Sequence, residues 1–140
     1  MDQVWSHHVI INLVKTFMEN QHFDRIITFD DYGISGHINH RSIYNALKDA
    51  KILGDLEGPI FSLRSIPVAQ KFASLPEALF TALTQSRTQK KLVLLSSPLG
   101  YLDGIAAMSS HRSQLVWYRY LYLIFSRYMF INVLDLMEAD

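Results

Sequence analysis

The apolar run at residues 25–29, Arg-Ile-Ile-Thr-Phe, sets narrow limits on how this chain folds. It is short, rich in β-branched residues and not alternating, which is typical of a strand buried on both faces of a parallel sheet. The run stops at Asp30. In an open α/β sheet, ligands bind beyond the carboxyl ends of the strands, so the segment that follows is a candidate site.

That segment contains two glycines and two histidines, Gly33, Gly36, His37 and His40. Residues three apart lie on one side of a turn, so both imidazoles can reach one point, and the glycines let the backbone approach it. Neutral imidazole binds zinc, and a catalytic zinc has about three protein ligands and a water. Since the chain has no Cys, a metal here would use His, Asp or Glu. An ordinary pair of hydrogen-bonding histidines is the alternative.

A helix is predicted from about Arg41 to Lys51, with Asn39 as its N-cap. His40 then lies near the positive end of the helix dipole, which disfavours imidazolium and keeps the ring available as a ligand. The predicted core face of this helix consists of Ile43, Leu47 and Ala50.

The other predicted elements follow the same signals of periodicity and of proline and glycine breaks. Trp5, Val9, Leu13 and Phe17, beside Ile10 and Val14, predict a sheet-covering helix that ends near Asn20. Beyond the site we expect strands at 60–63 and 92–95, helices opened by Pro67, Pro76 and Pro98, an apolar helix at 115–126, and an edge strand at 131–134. This order predicts a doubly wound α/β arrangement in one domain, residues 1–140.

Composition narrows the function classes. Thirteen basic and thirteen acidic residues cancel, so we expect no nucleic-acid partner. We expect no secretory signal and no membrane span in this sequence. His7, His8 and His22 lack ligand spacing and are interpreted as solvated or locally bonded. The aromatic residues between 117 and 130 are interpreted as core, and partial seating at a bilayer surface is the alternative.

Four ordered blocks, residues 28–30, 33–40, 108–115 and 124–129, resemble the N-acetylglucosaminyl-phosphatidylinositol de-N-acetylase family, which belongs to the LmbE-like zinc deacetylases. The resemblance covers nearly the whole chain. It implies a Rossmann-like three-layer fold of the LmbE type. Family members begin with a strand ending in Ala-His-Pro-Asp-Asp-Glu, which this sequence lacks, and Tyr32 replaces a family glycine. We therefore expect an incomplete fold with its first strand missing and a neighbouring strand edge exposed.

The resemblance also implies a reaction, hydrolysis of the acetamide of N-acetylglucosaminyl-phosphatidylinositol, the second step of GPI-anchor biosynthesis. The implied location is the cytosolic face of the endoplasmic reticulum membrane. His40 would be a ligand of a divalent metal, zinc, and His37 would bind the oxyanion or protonate the leaving amine. Asp30 would orient the glycine loop or a histidine. His111 and Gln114 lie in a family block near the catalytic region, where they would support the site or make structural hydrogen bonds.

The missing motif would supply the general base and two further metal ligands, so the sequence predicts a truncated form with an incomplete ligand set. Two alternatives stay open. The first alternative to the truncated enzyme is a non-catalytic remnant that acts through a partner, and the second is a soluble N-acetyl-sugar deacetylase of the same superfamily.

Overall fold

The computed structural model describes residues 4–85 and 88–138, and the chain divides into two compact units. The first unit comprises residues 1–65 and 134–140, and the second comprises residues 66–133. The structure thus has two units where the sequence predicts one domain over residues 1–140, and that single domain stays a prediction.

The secondary structure alternates between helices and strands, as predicted. The first unit contains α1 (His7–Asn20), β1 (Ile26–Phe29), the single turn α2 (Gly33–Gly36), α3 (Ile38–Ile52) and β2 (Ile60–Leu63). The second contains α4 (Val68–Lys71), α5 (Ser74–Thr84), β3 (Lys91–Leu95), α6 (Pro98–Ser110) and α7 (Trp117–Phe125). The last strand, β4 (Ile131–Leu136), begins in the second unit and ends in the first.

The sheet is mixed. In the first unit β1 pairs with β2 in parallel, with Ile26 opposite Ile60, and β2 pairs with β4 antiparallel, with Phe61 opposite Leu136. In the second unit β4 is the neighbour of β3. The α/β class is therefore confirmed, and the arrangement is compatible with a Rossmann-like fold. The prediction of an edge strand at 131–134 is wrong, because β4 has a strand neighbour in each unit.

The core of the first unit lies between α1, α3 and the strands. Buried residues from α3, β2 and the segments that flank the strands form one apolar cluster: Leu47, Ala50, Leu56, Ile60 and Met137. The α1 residues that pack against it are Ile11, Val14 and Met18. The predicted row Trp5, Val9, Leu13 and Phe17 is instead exposed. The prediction that this row covers the sheet is wrong. α1 has apolar residues on two sides, and only one of them packs against the cluster.

Burial of the strands is less complete than predicted. Ile26 packs against the core cluster, but Ile27 is 55% exposed. Side chains alternate along a strand, so Ile27 points to the opposite side of β1, away from the core that α1 and α3 form. In the second unit Leu94 and Leu95 are exposed at the end of β3. Burial on both faces, predicted for β1, is therefore wrong at Ile27.

Helices α4, α5 and α6 of the second unit begin at or near the prolines that were predicted to open them. Ser97 caps α6, its hydroxyl accepting a hydrogen bond from the Gly100 N–H at 3.1 Å, and Pro98 occupies the first turn. α5 begins at Ser74, two residues before the predicted Pro76. Among the helices of the described part of the chain, none combines the length and apolar character needed to cross a bilayer.

The aromatic residues of α7 differ most from their predicted role. Leu123 is buried, whereas Trp117 is 74% exposed and Tyr118, Tyr120 and Phe125 are also exposed. The interpretation as core is wrong for these four residues, because α7 packs within its unit through the side that carries Leu123.

Leu47 tests the location of the core. We expect Leu47→Ala to lower the free energy of unfolding by about 2–5 kcal/mol, because the truncation leaves a cavity in the apolar cluster. The matched control Leu53→Ala changes an exposed leucine just after the same helix and should stay within about 0.5 kcal/mol of the wild type. Urea unfolding followed by circular dichroism measures both, and equal losses would contradict this core.

Candidate functional site

The Asp30 carboxylate joins the ends of two parallel strands. It follows β1 directly, and its Oδ1 accepts hydrogen bonds from the Gly33 N–H at 2.9 Å and the Ser65 hydroxyl at 2.7 Å. Its Oδ2 accepts a hydrogen bond from the Ser65 N–H. Hydrogen bonds to an ionised acceptor are stronger than neutral ones, so these contacts fix the loop after β1 to the segment after β2.

Ser65 was not among the residues singled out from the sequence. It lies two residues beyond the end of β2, at the same sheet edge as Asp30. Its hydroxyl also accepts a hydrogen bond from the Ile34 N–H at 2.9 Å. The rule that ligands gather beyond the carboxyl ends of parallel strands was the signal that could have found it.

The loop between β1 and α3 has a left-handed backbone at three residues. The φ angles are 69° at Gly33, 66° at Ile34 and 73° at Gly36. Glycine adopts such angles readily, but a β-branched residue does so at a cost of about 1–3 kcal/mol. The hydrogen bond from the Ile34 N–H to Ser65 is one contact that holds this conformation.

Residue 33 must also be a glycine because its backbone lies close to the His40 side chain. A Cβ added at Gly33 would lie 2.8 Å from the His40 Cβ, which is shorter than real contacts of this kind. The Gly33 carbonyl is 3.0 Å from the Nδ1 atom of His40. Gly33 therefore both turns the chain and positions the imidazole of His40.

The helix that carries His40 begins one residue before Asn39, the residue predicted to be its N-cap. α3 starts at Ile38 and its N-cap is His37, whose Nδ1 accepts a hydrogen bond from the Asn39 N–H at 3.3 Å. The prediction of Asn39 as N-cap is wrong, because Asn39 already lies inside α3 and its side-chain oxygen accepts a hydrogen bond from the Trp5 N–H at 3.3 Å. His40 lies in the first turn of α3, as predicted.

The two imidazoles are held in opposite tautomers. Because the His37 Nδ1 accepts a hydrogen bond, the proton of the neutral ring is on Nε2. The His40 Nδ1 faces a carbonyl oxygen, which only accepts, so in the neutral ring Nδ1 carries the proton and Nε2 has the lone pair. One ring thus presents a donor and the other presents a ligand atom.

The rings lie side by side at the carboxyl end of β1. Their centroids are 4.8 Å apart, with 34° between the ring planes. His40 also stacks on Phe29, the last residue of β1, with centroids 3.9 Å apart and planes within 10°. His37 is exposed and His40 is half-buried. The loop therefore brings together the two histidines predicted from their spacing.

The donor atoms near these rings do not complete a metal site. Across residues 4–85 and 88–138, no group of three or more His, Cys, Asp or Glu residues could hold a metal ion. The Asp30 carboxylate is occupied by Gly33 and Ser65, and within this part of the chain it bonds to neither histidine. The His40 Nε2 can serve as one ligand, whereas a catalytic zinc needs about three from protein.

The remaining predicted residues belong to the second unit. His111 is the C-cap of α6, where its N–H donates to the Met108 carbonyl at 3.2 Å, and its ring is exposed. Gln114 ends a 3₁₀ turn, and its side chain lies outside what the structure describes. Their roles stay predictions.

Of the other histidines, His8 and His22 make local contacts, as predicted, whereas His7 contacts a residue of α3. The His7 Nδ1 lies 3.0 Å from an Asp49 oxygen, and His22 lies 3.6 Å from Asp24. His8 contacts Asn12 on the next turn of α1.

Curated proteins that share one name are similar to the chain over nearly its whole length. The N-acetylglucosaminyl-phosphatidylinositol de-N-acetylase of Bos taurus is 30% identical over 141 residues, which is 97% of this chain. That of Saccharomyces cerevisiae is 31% identical over 169 residues, covering 96% of this chain. A protein of Dictyostelium discoideum, named as a probable enzyme of this kind, is 26% identical over 161 residues and 96% of this chain.

The chain is similar over nearly its whole length to N-acetylglucosaminyl-phosphatidylinositol de-N-acetylases. It spans 53%, 55% and 62% of the lengths of the Bos taurus, Saccharomyces cerevisiae and Dictyostelium discoideum relatives. No family model matches the chain, and no solved structure does. The family assignment therefore depends on these relatives, and the structure adds the arrangement of the histidine loop.

Gly33 tests whether the loop positions His40. We expect Gly33→Ala to lower the free energy of unfolding by about 1–3 kcal/mol more than Gly54→Ala, because its Cβ also meets the Cβ of His40. Gly54 is the matched control, since its φ of 74° is similar and a Cβ there would meet nothing within 4 Å. Chemical denaturation measures both, and equal losses would show that His40 does not depend on this contact.

Proposed function

We propose that this chain carries part of the catalytic centre of an N-acetylglucosaminyl-phosphatidylinositol de-N-acetylase. The reaction hydrolyses the acetamide of the lipid-linked sugar to give glucosaminyl-phosphatidylinositol and acetate, within GPI-anchor biosynthesis. The observation that carries the proposal is the pair of adjacent imidazoles in opposite tautomers beyond a parallel strand. The names of the relatives supply the substrate, and the chain spans about half or more of their lengths.

The proposal includes the finer fold and the location. We propose that the parallel pair β1–β2, with the site at its carboxyl end, is part of the incomplete, doubly wound LmbE-like sheet that the resemblance implies. A substrate built on phosphatidylinositol places the reaction at a membrane, for which we propose the cytosolic face of the endoplasmic reticulum.

His40 is proposed as the ligand that this chain offers to a divalent metal, zinc. Its Nδ1 donates to the Gly33 carbonyl, and such a bond fixes the tautomer and orients the Nε2 lone pair. A bound metal polarises an amide carbonyl and activates water. The described residues supply only part of the ligand set, so the complete site requires further carboxylate or imidazole ligands.

His37 is proposed as a proton and hydrogen-bond donor. Its Nε2–H group is available because Nδ1 accepts from Asn39, and the ring is exposed beside His40. A donor at this position stabilises the oxyanion of the tetrahedral intermediate or protonates the leaving amine. Asp30, Gly33 and Gly36 shape the loop that holds both rings.

A second function, from a different class, is favoured by the incomplete ligand set. Because the described residues contain no three-ligand group, a chain with this site alone would be a non-catalytic member of the family that acts through a partner. Metal retention and turnover distinguish this interaction module from the enzyme.

Zinc titration and deacetylase assays of three variants separate the proposed roles. We expect His40→Ala to lose both zinc binding and turnover, because it removes the ligand nitrogen. His37→Ala should keep zinc but lose turnover by about 10²–10⁴-fold, the usual contribution of a positioned acid. The control His8→Ala changes an exposed histidine of α1 and should alter neither.

The outcomes also decide between the alternatives. Zinc binding that is unchanged in His40→Ala would contradict the ligand assignment, and wild-type chain without zinc or turnover would support the interaction module. Turnover of free N-acetylglucosaminides equal to that of the lipid-linked substrate would instead indicate a soluble sugar deacetylase.

A further inference from the structure

The neutral charge of the chain conceals a strong asymmetry between its two units. Residues 66–133 contain seven Lys or Arg and two Asp or Glu, a formal net charge of +5, whereas the first unit contains six and eleven, a net charge of −5. The two acidic residues of the second unit are Glu77 and Asp103. Such a separation indicates that the second unit meets an anionic partner.

Two of these positive charges, Lys71 and Arg119, have no carboxylate partner among the described residues of the unit. The Glu77 carboxylate lies 3.6 Å from the guanidinium of the buried Arg127 and also accepts a hydrogen bond from Thr81. Within residues 66–85 and 88–133, Lys71 and Arg119 form no ion pair with a carboxylate. One cation beside α7 and one within it therefore form no ion pair in the described part of their unit.

Lys71 and Arg119 lie on the same flank of α7. The Lys71 Nζ is 5.9 Å from the ring centroids of Phe72, Tyr122 and Tyr128. Arg119 precedes Tyr122 by three residues, which places both on one helix face. Burial, followed by the charge of Arg119, lowers the pKa of Lys71. An anion bound here would relieve this repulsion.

The opposite face of α7 is an exposed apolar stripe. It consists of Trp117, Tyr120, Leu121, Ile124 and Phe125, whose spacing of i, i+3, i+4, i+7 and i+8 is the one that helices normally bury. Each of these residues is at least 45% exposed. The stripe contains no charged side chain, since Arg119, the one charge of α7, lies on the other flank.

We propose that the second unit binds the surface of an anionic phospholipid bilayer through this stripe, with Lys71 and Arg119 at the level of the lipid phosphates. A helix lying in the interface buries its apolar face about 5–10 Å into the headgroup boundary. The flank of α7 with Lys71 and Arg119 then lies about one helix diameter, 10 Å, further from the bilayer centre. At that level lysine and arginine side chains reach the lipid phosphates. The net charge of +5 complements the negative surface of such a membrane.

The composition of the stripe favours a bilayer over an apolar protein partner. Trp117 and Tyr120 carry an indole N–H and a phenol O–H at the ends of apolar rings, and these groups require a polar partner when buried. Water and headgroups at the interface provide one. The proposal rests on the second unit alone, so it fails or stands separately from the deacetylase chemistry of the histidine loop.

Vesicle sedimentation tests the proposal with the full chain. We expect binding to vesicles of equal phosphatidylcholine and phosphatidylserine, weakened by salt, and little binding to phosphatidylcholine alone. Lys71→Gln and Arg119→Gln should each weaken binding about fivefold, the usual effect of one cation near an anionic surface. Arg25→Gln, in the first unit, is the matched control and should bind as the wild type does.

The stripe is tested by Trp117→Ser, for which we expect binding at least about tenfold weaker, because the largest apolar residue is lost. Phe17→Ser removes an exposed aromatic residue of α1 and is its control. Trp117→Phe, which keeps an apolar ring, should retain most of the binding and shows that loss in the serine variant is not misfolding.

Fluorescence gives a direct readout, since the chain has two tryptophans, Trp5 and Trp117. In Trp5→Phe, we expect the emission of Trp117 to shift to the blue with anionic vesicles. No shift, or equal binding by wild type and Trp117→Ser, would overturn the proposal. Self-association that Trp117→Ser abolishes, without vesicle binding, would also overturn it and assign the stripe to a second copy of the chain.

Discussion

The hydrogen bonds of the Asp30 carboxylate hold the histidine loop in place. Two backbone N–H groups and one hydroxyl converge on this side chain, and they link the segment after β1 to Ser65 after β2. Ser65 in turn binds the N–H of Ile34, a β-branched residue with a left-handed backbone. The strain of that residue persists because the surrounding contacts determine its conformation. The position of the imidazoles follows from this network.

The backbone of the loop assigns different chemistry to two residues of the same type. A carbonyl oxygen at Gly33 requires a proton on one ring, and an N–H group at Asn39 requires a lone pair on the other. Stacking of His40 on Phe29 fixes the plane of the ring. The site is therefore preorganised by β1 and the first turn of α3, which are rigid elements, and the relatives give this geometry its proposed role as part of a deacetylase.

Local signals in the sequence predicted the strands β1 and β2, the helix after the loop and the meeting of His37 with His40. They did not predict Ser65, because its contact with Asp30 joins residues 35 apart and depends on the pairing of β1 with β2. His37 was missed as a cap since imidazole rarely has that role. The sequence predicted an apolar helix at 115–126, which α7 confirms, but the apolar pattern did not reveal which of its residues other elements cover.

Nitrogen NMR of the two imidazoles tests most directly whether the loop gives them opposite roles. The ¹⁵N shifts of a neutral ring distinguish a proton on Nδ1 from a proton on Nε2, and the spectra of the wild type and of each His→Gln variant assign the signals. The account predicts the proton on Nε2 in His37 and on Nδ1 in His40. The same tautomer in both rings, or rapid averaging of the two forms, would contradict it.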